Sequence, residues 1–361
     1  MRAEVHDVSM SSLQAQGVQA VTPTGFAPLA SLSPQREGLS STALGAGERA
    51  EASDVSAASL RTDDVGQIPI AFPLRVTRSY AARMAKGNLA DPLLLQVLPQ
   101  VREALAVPGY GADPVGDRAA AALPGLLHKY AGRVLLLATG ACAIHCRYCF
   151  RREFPYGEFQ LTRQREADAL AYIAADPSIE EVILSGGDPL VLGDERLEGL
   201  VRALESIPHL TRLRIHSRLP VVLPSRITDG LLRVLGRSRL QPVLVIHANH
   251  ARELDSEVAA GLRRLAETGV ALLNQTVLLK GINDRPETLA ELSRRLFGLG
   301  VQPYYLHVLD KAAGTAHFDL PEEKALDLHS ALRRRLPGYL VPRLVREEAG
   351  KPYKSLLGSG D

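Results

Sequence analysis

Three thiols are the obvious place for chemistry. Cys142, Cys146 and Cys149 are the only cysteines among 361 residues, and they lie together in Cys142-Ala-Ile-His-Cys146-Arg-Tyr-Cys149. Core cysteines scatter among different elements, whereas thiolates this close in sequence converge on one ion or cluster. Closed zinc and iron–sulfur sites take four protein ligands, so three cysteines and no fourth leave one metal position open for another molecule. A zinc site closed by His145 is the competing reading. Structural zinc ligands usually come as separated C-x2-C pairs, and His145 is flanked too tightly to complete a tetrahedron.

The elements that must position these thiols follow from the pattern around them. Apolar runs at 133–139, 181–186, 212–217, 242–248, 270–279 and 301–309 read as strands. Helical patterns follow near 162–175, 194–206, 228–237, 253–268, 286–299 and 321–335. Asp194-Glu195, Thr228-Asp229 and Pro321-Glu-Glu323 offer capping oxygens or first-turn acids. Six βα units predict an α/β fold with a parallel sheet and outer helices, and six are too few for a closed eight-stranded barrel. Reacting groups collect at the carboxyl ends of such strands, where the cysteines sit. The second strand ends in Ser185-Gly-Gly-Asp-Pro189. There a Gly-Gly pair would let the backbone approach a ligand with no Cβ in the way, although a plain βα turn has the same composition.

Residues 1–65 are rich in Ala, Ser, Gly and Thr with no sustained period, which predicts a poorly ordered segment. Residues 66–124 read as a helical extension, with helices near 77–86 and 92–101. Residues 125–335 form the barrel core, and 336–361 a C-terminal segment. A chain 46% hydrophobic and 23% charged can bury a sizeable core. A net charge of +2 points neither to nor away from nucleic acid. No apolar run is long enough for a membrane span, and Met1-Arg-Ala-Glu lacks a signal-peptide start, so a cytoplasmic protein with reduced thiols is expected.

Cys-x3-Cys-x2-Cys after the first strand, followed one unit later by Gly-Gly-Asp, resembles the radical S-adenosylmethionine enzymes. Within them the chain resembles the lysine 2,3-aminomutases from about Phe72 to Leu357, and among these the type that makes β-lysine for elongation factor P. The resemblance is carried by Gly125-Leu-Leu-His-Lys-Tyr130, Cys142 to Arg152 with Phe154-Pro-Tyr156, Leu184-Ser-Gly-Gly-Asp-Pro189 and Arg214-Ile-His-Ser-Arg-Leu-Pro220. Leu273-Asn-Gln275, Pro303-Tyr-Tyr-Leu-His-Val-Leu-Asp310 and Gly338-Tyr-Leu-Val-Pro342 complete it.

The resemblance implies a radical SAM partial (β/α)6 barrel with three cofactors. These are a [4Fe-4S] cluster on the three cysteines, S-adenosyl-L-methionine on its open iron, and pyridoxal 5′-phosphate. Gly186, Gly187 and Asp188 would receive the methionine amino group. Lys354 would carry pyridoxal phosphate, chosen over Lys351 because Glu347 stands seven positions before it, as a carboxylate does in the family. Lys129, Tyr130, Arg133 and Gln275 match cofactor-binding positions. Lys129 stands where the clostridial type has arginine, which keeps the charge and loses the planar fork. Arg151 would pair with the substrate carboxylate, leaving Arg152 structural, and Asp310 with Glu347 would hold the distant ammonium of L-lysine. Glu347 replaces an aspartate of the clostridial type, and the spare cysteines of that type's zinc-linked assembly are absent. The implied partners are L-lysine and an electron donor such as flavodoxin or ferredoxin, with no nucleic acid and no membrane, and with an oligomer left open. The alternative is a radical aminomutase for another amino acid, such as glutamate.

Overall fold

The computed structural model describes residues 72–358. The expected poorly ordered segment 1–65 and the start of the extension lie outside them.

Ten strands form one sheet in sequential order. They are β1 Ala121–Leu123, β2 Leu126–Tyr130, β3 Arg133–Thr139, β4 Glu181–Gly186, β5 Arg212–Ser217, β6 Gln241–Ile246, β7 Ala271–Val277, β8 Gln302–His307, β9 Arg343–Arg346 and β10 Ser355–Leu356. The six expected strands are β3 to β8, and they pair in parallel. Between and after them run α1 Arg163–Ala175, α2 Asp194–Glu205, α3 Asp229–Gly236, α4 Ser256–Ala266, α5 Pro286–Gly298 and α6 Glu322–Arg335.

The strands show why the sequence alternates. On β5, Leu213, Ile215 and Ser217 are buried beneath the helices, while Arg212, Arg214 and His216 take the opposite face, because successive side chains point to opposite sides of a strand. Leu213 and Ile215 join the main core with Leu197, Leu200, Leu231 and Leu235 from α2 and α3. Among the expected caps only Thr228 works through its side chain, accepting from Leu231 N. Thr162 and Asp255 cap α1 and α4 in the same way. Asp194 instead sends its carboxylate across to Arg226 at 2.7 Å and Thr228 at 2.6 Å.

One expectation is corrected. The extension is not mainly helical in its described part: its one α-helix, Arg78–Ala81, has four residues, and it otherwise holds a short 3-10 segment at Val101–Ala104, the strand β1 and irregular turns. Pro92, Pro99 and Gly87 interrupt the apolar pattern, and each proline removes a backbone donor that a helix needs. The C-terminal segment adds two strands to the sheet. Its β9 pairs in parallel with β8, adding a seventh parallel strand, and β10 folds back antiparallel on β9. Leu344 and Val345 are fully buried, so strand pairing and these two side chains hold the segment in place. At the other end the hairpin β1–β2 pairs antiparallel with β3.

Candidate active site

A cavity of ≈ 970 Å³ opens inside the sheet, and every residue singled out by the sequence as a site residue lines it. Its volume is at the upper end of the range for small-molecule sites, roughly 300–1,000 Å³. His145, Arg152 and Lys351 do not line it.

At one end are the three cysteines. The extension fixes the loop that carries them: Arg75 Nη1 donates to Cys142 O at 2.9 Å, His145 N to Arg75 O at 2.9 Å, and Arg147 N to Gln96 O at 2.9 Å. Glu103 accepts from Arg147 Nε at 2.9 Å and from Arg152 Nη2 at 2.9 Å. His145 stacks on Phe72 and contacts Pro73 O through Nδ1, so it serves the loop, as Arg152 does. Burial raises the thiols of Cys142 and Cys149, the latter to about 11, so a metal must displace protons to bind them. Among the described residues no three His, Cys, Asp or Glu side chains are grouped so as to hold a single metal ion.

The Gly-Gly turn meets this loop directly. Gly187 N donates to Thr139 O at 2.7 Å and Asp188 N to Ala141 O at 2.8 Å. A Cβ on Gly186 would lie 2.3 Å from Thr139 O, and one on Gly187 2.2 Å from Ala141 O. The close approach that demands glycine is therefore to the backbone leading into the cysteines, and not in the first place to a ligand. The Asp188 carboxylate accepts from Ser217 Oγ at 2.7 Å, Arg218 N at 2.7 Å, Leu190 N at 3.1 Å and Leu219 N at 3.1 Å. Its lone pairs are spent tying β4 to β5, so its contribution to an amino-group site is to fix the turn. Gly186 O accepts from Tyr156 at 2.6 Å.

At the other end the charges gather. Asp117, 2% exposed, accepts from Arg151 Nε at 2.6 Å and pairs with Lys129 Nζ at 2.6 Å. Burial alone would raise the Asp117 carboxyl, but Arg151 and Lys129 hold it below the usual range. Lys129 also donates to Glu347 Oε1 at 2.9 Å and Val115 O at 2.9 Å. All three of its protons are thereby used, and a phosphate would have to displace one acceptor. Glu347 Oε2 pairs in turn with Lys354. Lys129 is on β2 and Glu347 follows β9, so this chain of ion pairs links the two ends of an open sheet by side chains. Burial, more than any other influence, lowers the Lys354 ammonium to about 8; Asp310 opposes this and Lys129 adds to it. Burial likewise raises Asp310 to about 6, against the pull of Lys354. Among the described residues no hydrogen bond or ion pair satisfies the Asp310 carboxylate. Arg151 keeps its Nη edge toward Ser185 Oγ at 3.1 Å, and Arg133 lies over the Tyr130 ring at 4.6 Å.

Sequence reasoning missed two groups. Asp117 sits in Gly111-Ala-Asp-Pro-Val-Gly-Asp117, which reads as a turn, and nothing local points to partners 12 and 34 positions away. His216, His247 and His307 also line the cavity. The alternation of β5 and β8 carried the signal for two of them. Burial lowers all three imidazoles, His247 to about 3, so they are neutral. Gln275 Nε2 meets His247 Nε2 at 2.8 Å. Nε2 of His216 and of His307, and Nε of Arg214 and of Arg218, are buried without partners.

These residues fit the three expected groups. Three clustered thiols suit an iron–sulfur cluster, a lysine of lowered pKa suits the aldehyde of pyridoxal phosphate, and buried polar atoms without protein partners beside a large cavity leave room for hydrogen bonds from a ligand or water. No helix of the described residues is long and apolar enough to cross a membrane.

Comparison with known proteins agrees with this chemistry. Residues 136–293 match the Radical SAM superfamily. The chain is 51% identical to the L-lysine 2,3-aminomutase of Escherichia coli K12 over 79% of its own length and 83% of that protein's. It is 49% identical to the enzyme of Haemophilus influenzae over 79% and 84%, and 36% identical to that of Clostridium subterminale over 80% and 69%. The cysteine loop, the Gly-Gly turn and a lysine of lowered pKa lining one cavity with an unpaired acid thus occur in a chain that belongs to the L-lysine 2,3-aminomutase family of radical SAM enzymes.

Proposed function

We propose that this protein converts L-lysine to β-lysine, and that the site residues act in the roles their positions suggest. The observation that carries the reading is Asp310, a buried carboxylate with no hydrogen-bond or ion-pair partner among the described residues, which lines one cavity with Glu347, Lys354 and Arg151. An amino acid with a distant ammonium satisfies Asp310 and Glu347 at one end and Arg151 at the other. A short or apolar side chain would leave buried acids unpaired, which is how a polar site rejects an analogue.

When bound, the [4Fe-4S] cluster and S-adenosylmethionine supply a carbon-centred radical able to take hydrogen from the β-carbon, and pyridoxal phosphate carries the nitrogen that migrates from α- to β-carbon. Cys142, Cys146 and Cys149 would hold the cluster, and the Gly186–Gly187 turn, fixed by Asp188, would face the amino group of S-adenosylmethionine. Lys354, its ammonium already lowered to about 8, presents a neutral amine to the aldehyde once Glu347 has turned to the substrate. Tyr130, Arg133 and Gln275, with Lys129 nearby, supply donors for the phosphate and ring. The imidazoles of His216, His247 and His307, kept neutral by burial, each offer one N–H donor and one acceptor nitrogen, so they orient by hydrogen bonds without adding charge. Leu135, Ile183 and Val277 line the same cavity and exclude water from a reactive radical.

β-Lysine for the modification of elongation factor P, a cytoplasmic setting, and flavodoxin or ferredoxin as electron donor extend the proposal on the family resemblance alone. The test is anaerobic incubation of reconstituted protein with L-lysine, S-adenosylmethionine, pyridoxal phosphate and dithionite. β-Lysine is the expected product. Formation of 5′-deoxyadenosine without β-lysine would move the substrate to another amino acid. Reduction of the cofactor-loaded protein with borohydride should label Lys354, and a label on Lys351 would overturn that assignment.

A further inference from the structure

Arg218 follows β5 immediately and is 4% exposed. Its Nη1 donates to Cys146 Sγ at 2.7 Å. Its Nη2 donates to Gln96 Oε1 at 2.6 Å and Glu253 Oε2 at 3.0 Å, and the guanidinium lies over the rings of Tyr80 and Tyr148. Glu253 is fully buried and also accepts from Asn249 N at 2.8 Å, His250 N at 2.9 Å and Gln96 Nε2 at 3.2 Å. The Arg218 backbone N is bound to Asp188. Carboxylate, amide, two rings and backbone fix this cation from several sides, and the sulfur is the partner left on its Nη1 end. With Glu253 it forms a buried dipole whose positive end rests on a cluster ligand. Arginine suits this place because it stays charged when buried and its planar fork serves two partners at once.

We propose that Arg218 is a positioning residue that raises the reduction potential of the cluster, with Tyr80 and Gln96 of the extension holding it to that task. The inference rests on the cofactor assignment above. A reduced cluster carries one more negative charge, spread over its sulfurs. A cation hydrogen-bonded to a ligand sulfur therefore stabilises the reduced state more than the oxidised one. The electron itself comes from an external one-electron donor.

The test is a dithionite redox titration of the anaerobically reconstituted protein, followed by electron paramagnetic resonance, with iron and sulfide content measured alongside. Arg218→Met with Glu253→Gln removes both charges, so that neither is left buried alone. With the cluster complete, the ratio of reduced to oxidised cluster at a fixed potential should fall about tenfold, a shift of ~59 mV for one electron. A complete cluster at the wild-type potential would overturn the proposal. Should the double variant hold no cluster, Arg218→Lys decides, since the ammonium keeps the charge and gives up the fork. A smaller downward shift is expected, and an unchanged potential overturns. Failure of the wild-type chain to take up a cluster would overturn the cofactor assignment and this inference together.

Discussion

At the cysteine end of the cavity, Arg75, Arg147, Arg152 and Arg218 spend their donors on carbonyls, on the buried acids Glu103 and Glu253, and on one sulfur. At the lysine end, Lys129, Arg151 and Lys354 share Asp117 and Glu347, each of which touches two of the cations, while Asp310 nearby is paired with none of them. The first end is a frame, because its arginines are bonded mainly to protein carbonyls and to two buried acids. The second is an exchangeable network in which a substrate carboxylate or ammonium can take the place of a protein partner. A cluster gains from rigid ligands, whereas a substrate that must enter and leave needs ion pairs that re-form without it.

This contrast is open to test. Glu103→Gln leaves Arg147 and Arg152 without their shared acid, and should cost about 3–5 kcal/mol of stability by denaturant melts, the range for breaking a buried pair. A much smaller loss would mean that the frame is held by packing instead. Asp310→Asn should raise the KM for lysine roughly 10²-fold with a complete cluster retained, as expected for truncating one partner of a buried charge pair at about 2–5 kcal/mol. An unchanged KM would remove Asp310 from lysine recognition. Asp117→Asn frees the Nε edge of Arg151, and should weaken lysine binding roughly tenfold, near the low end for hydrogen bonds to charged groups. Improved binding would show that Asp117 competes with the substrate more than it aligns the arginine.

The smallest effect concerns pH. Only a neutral amine attacks the aldehyde of pyridoxal phosphate, so cofactor uptake, followed by its visible absorbance, should rise through about pH 8, where Lys354 loses its proton. Glu347 stabilises the ammonium, and removing it lowers the pKa further. Glu347→Gln should therefore move the midpoint to lower pH by about one unit, and a move upward would contradict the ion pair.

The sequence and the structure agree best where pattern is local and repeated. The strand runs 133–139, 181–186 and 212–217 match β3, β4 and β5 to the residue, because short apolar runs suit strands buried on both faces, as in β4, or alternating between faces, as in β5. The candidate site was legible through the family motifs, and the structure brings every one of those residues to one cavity. The extension was misread in extent: of 77–86 only Arg78–Ala81 is helical, and 92–101, which holds Pro92 and Pro99, forms turns up to the start of a 3-10 segment. β9 was missed because Arg343-Leu-Val-Arg346 is four residues long and becomes a strand only by pairing with β8, some forty positions earlier.

By itself the sequence determined the parallel βα order and the stretch of three thiols, which follow from residue type and short-range spacing; the charged residues expected to hold lysine came from the family resemblance. Tertiary structure alone decided which charges meet. It set Asp117 between Lys129 and Arg151, joined β2 to the segment after β9 through Glu347, and pressed Arg218 against Cys146 with Glu253 behind it. These contacts cross from 12 to 218 positions of chain, and their strength depends on burial, which no local window of sequence records.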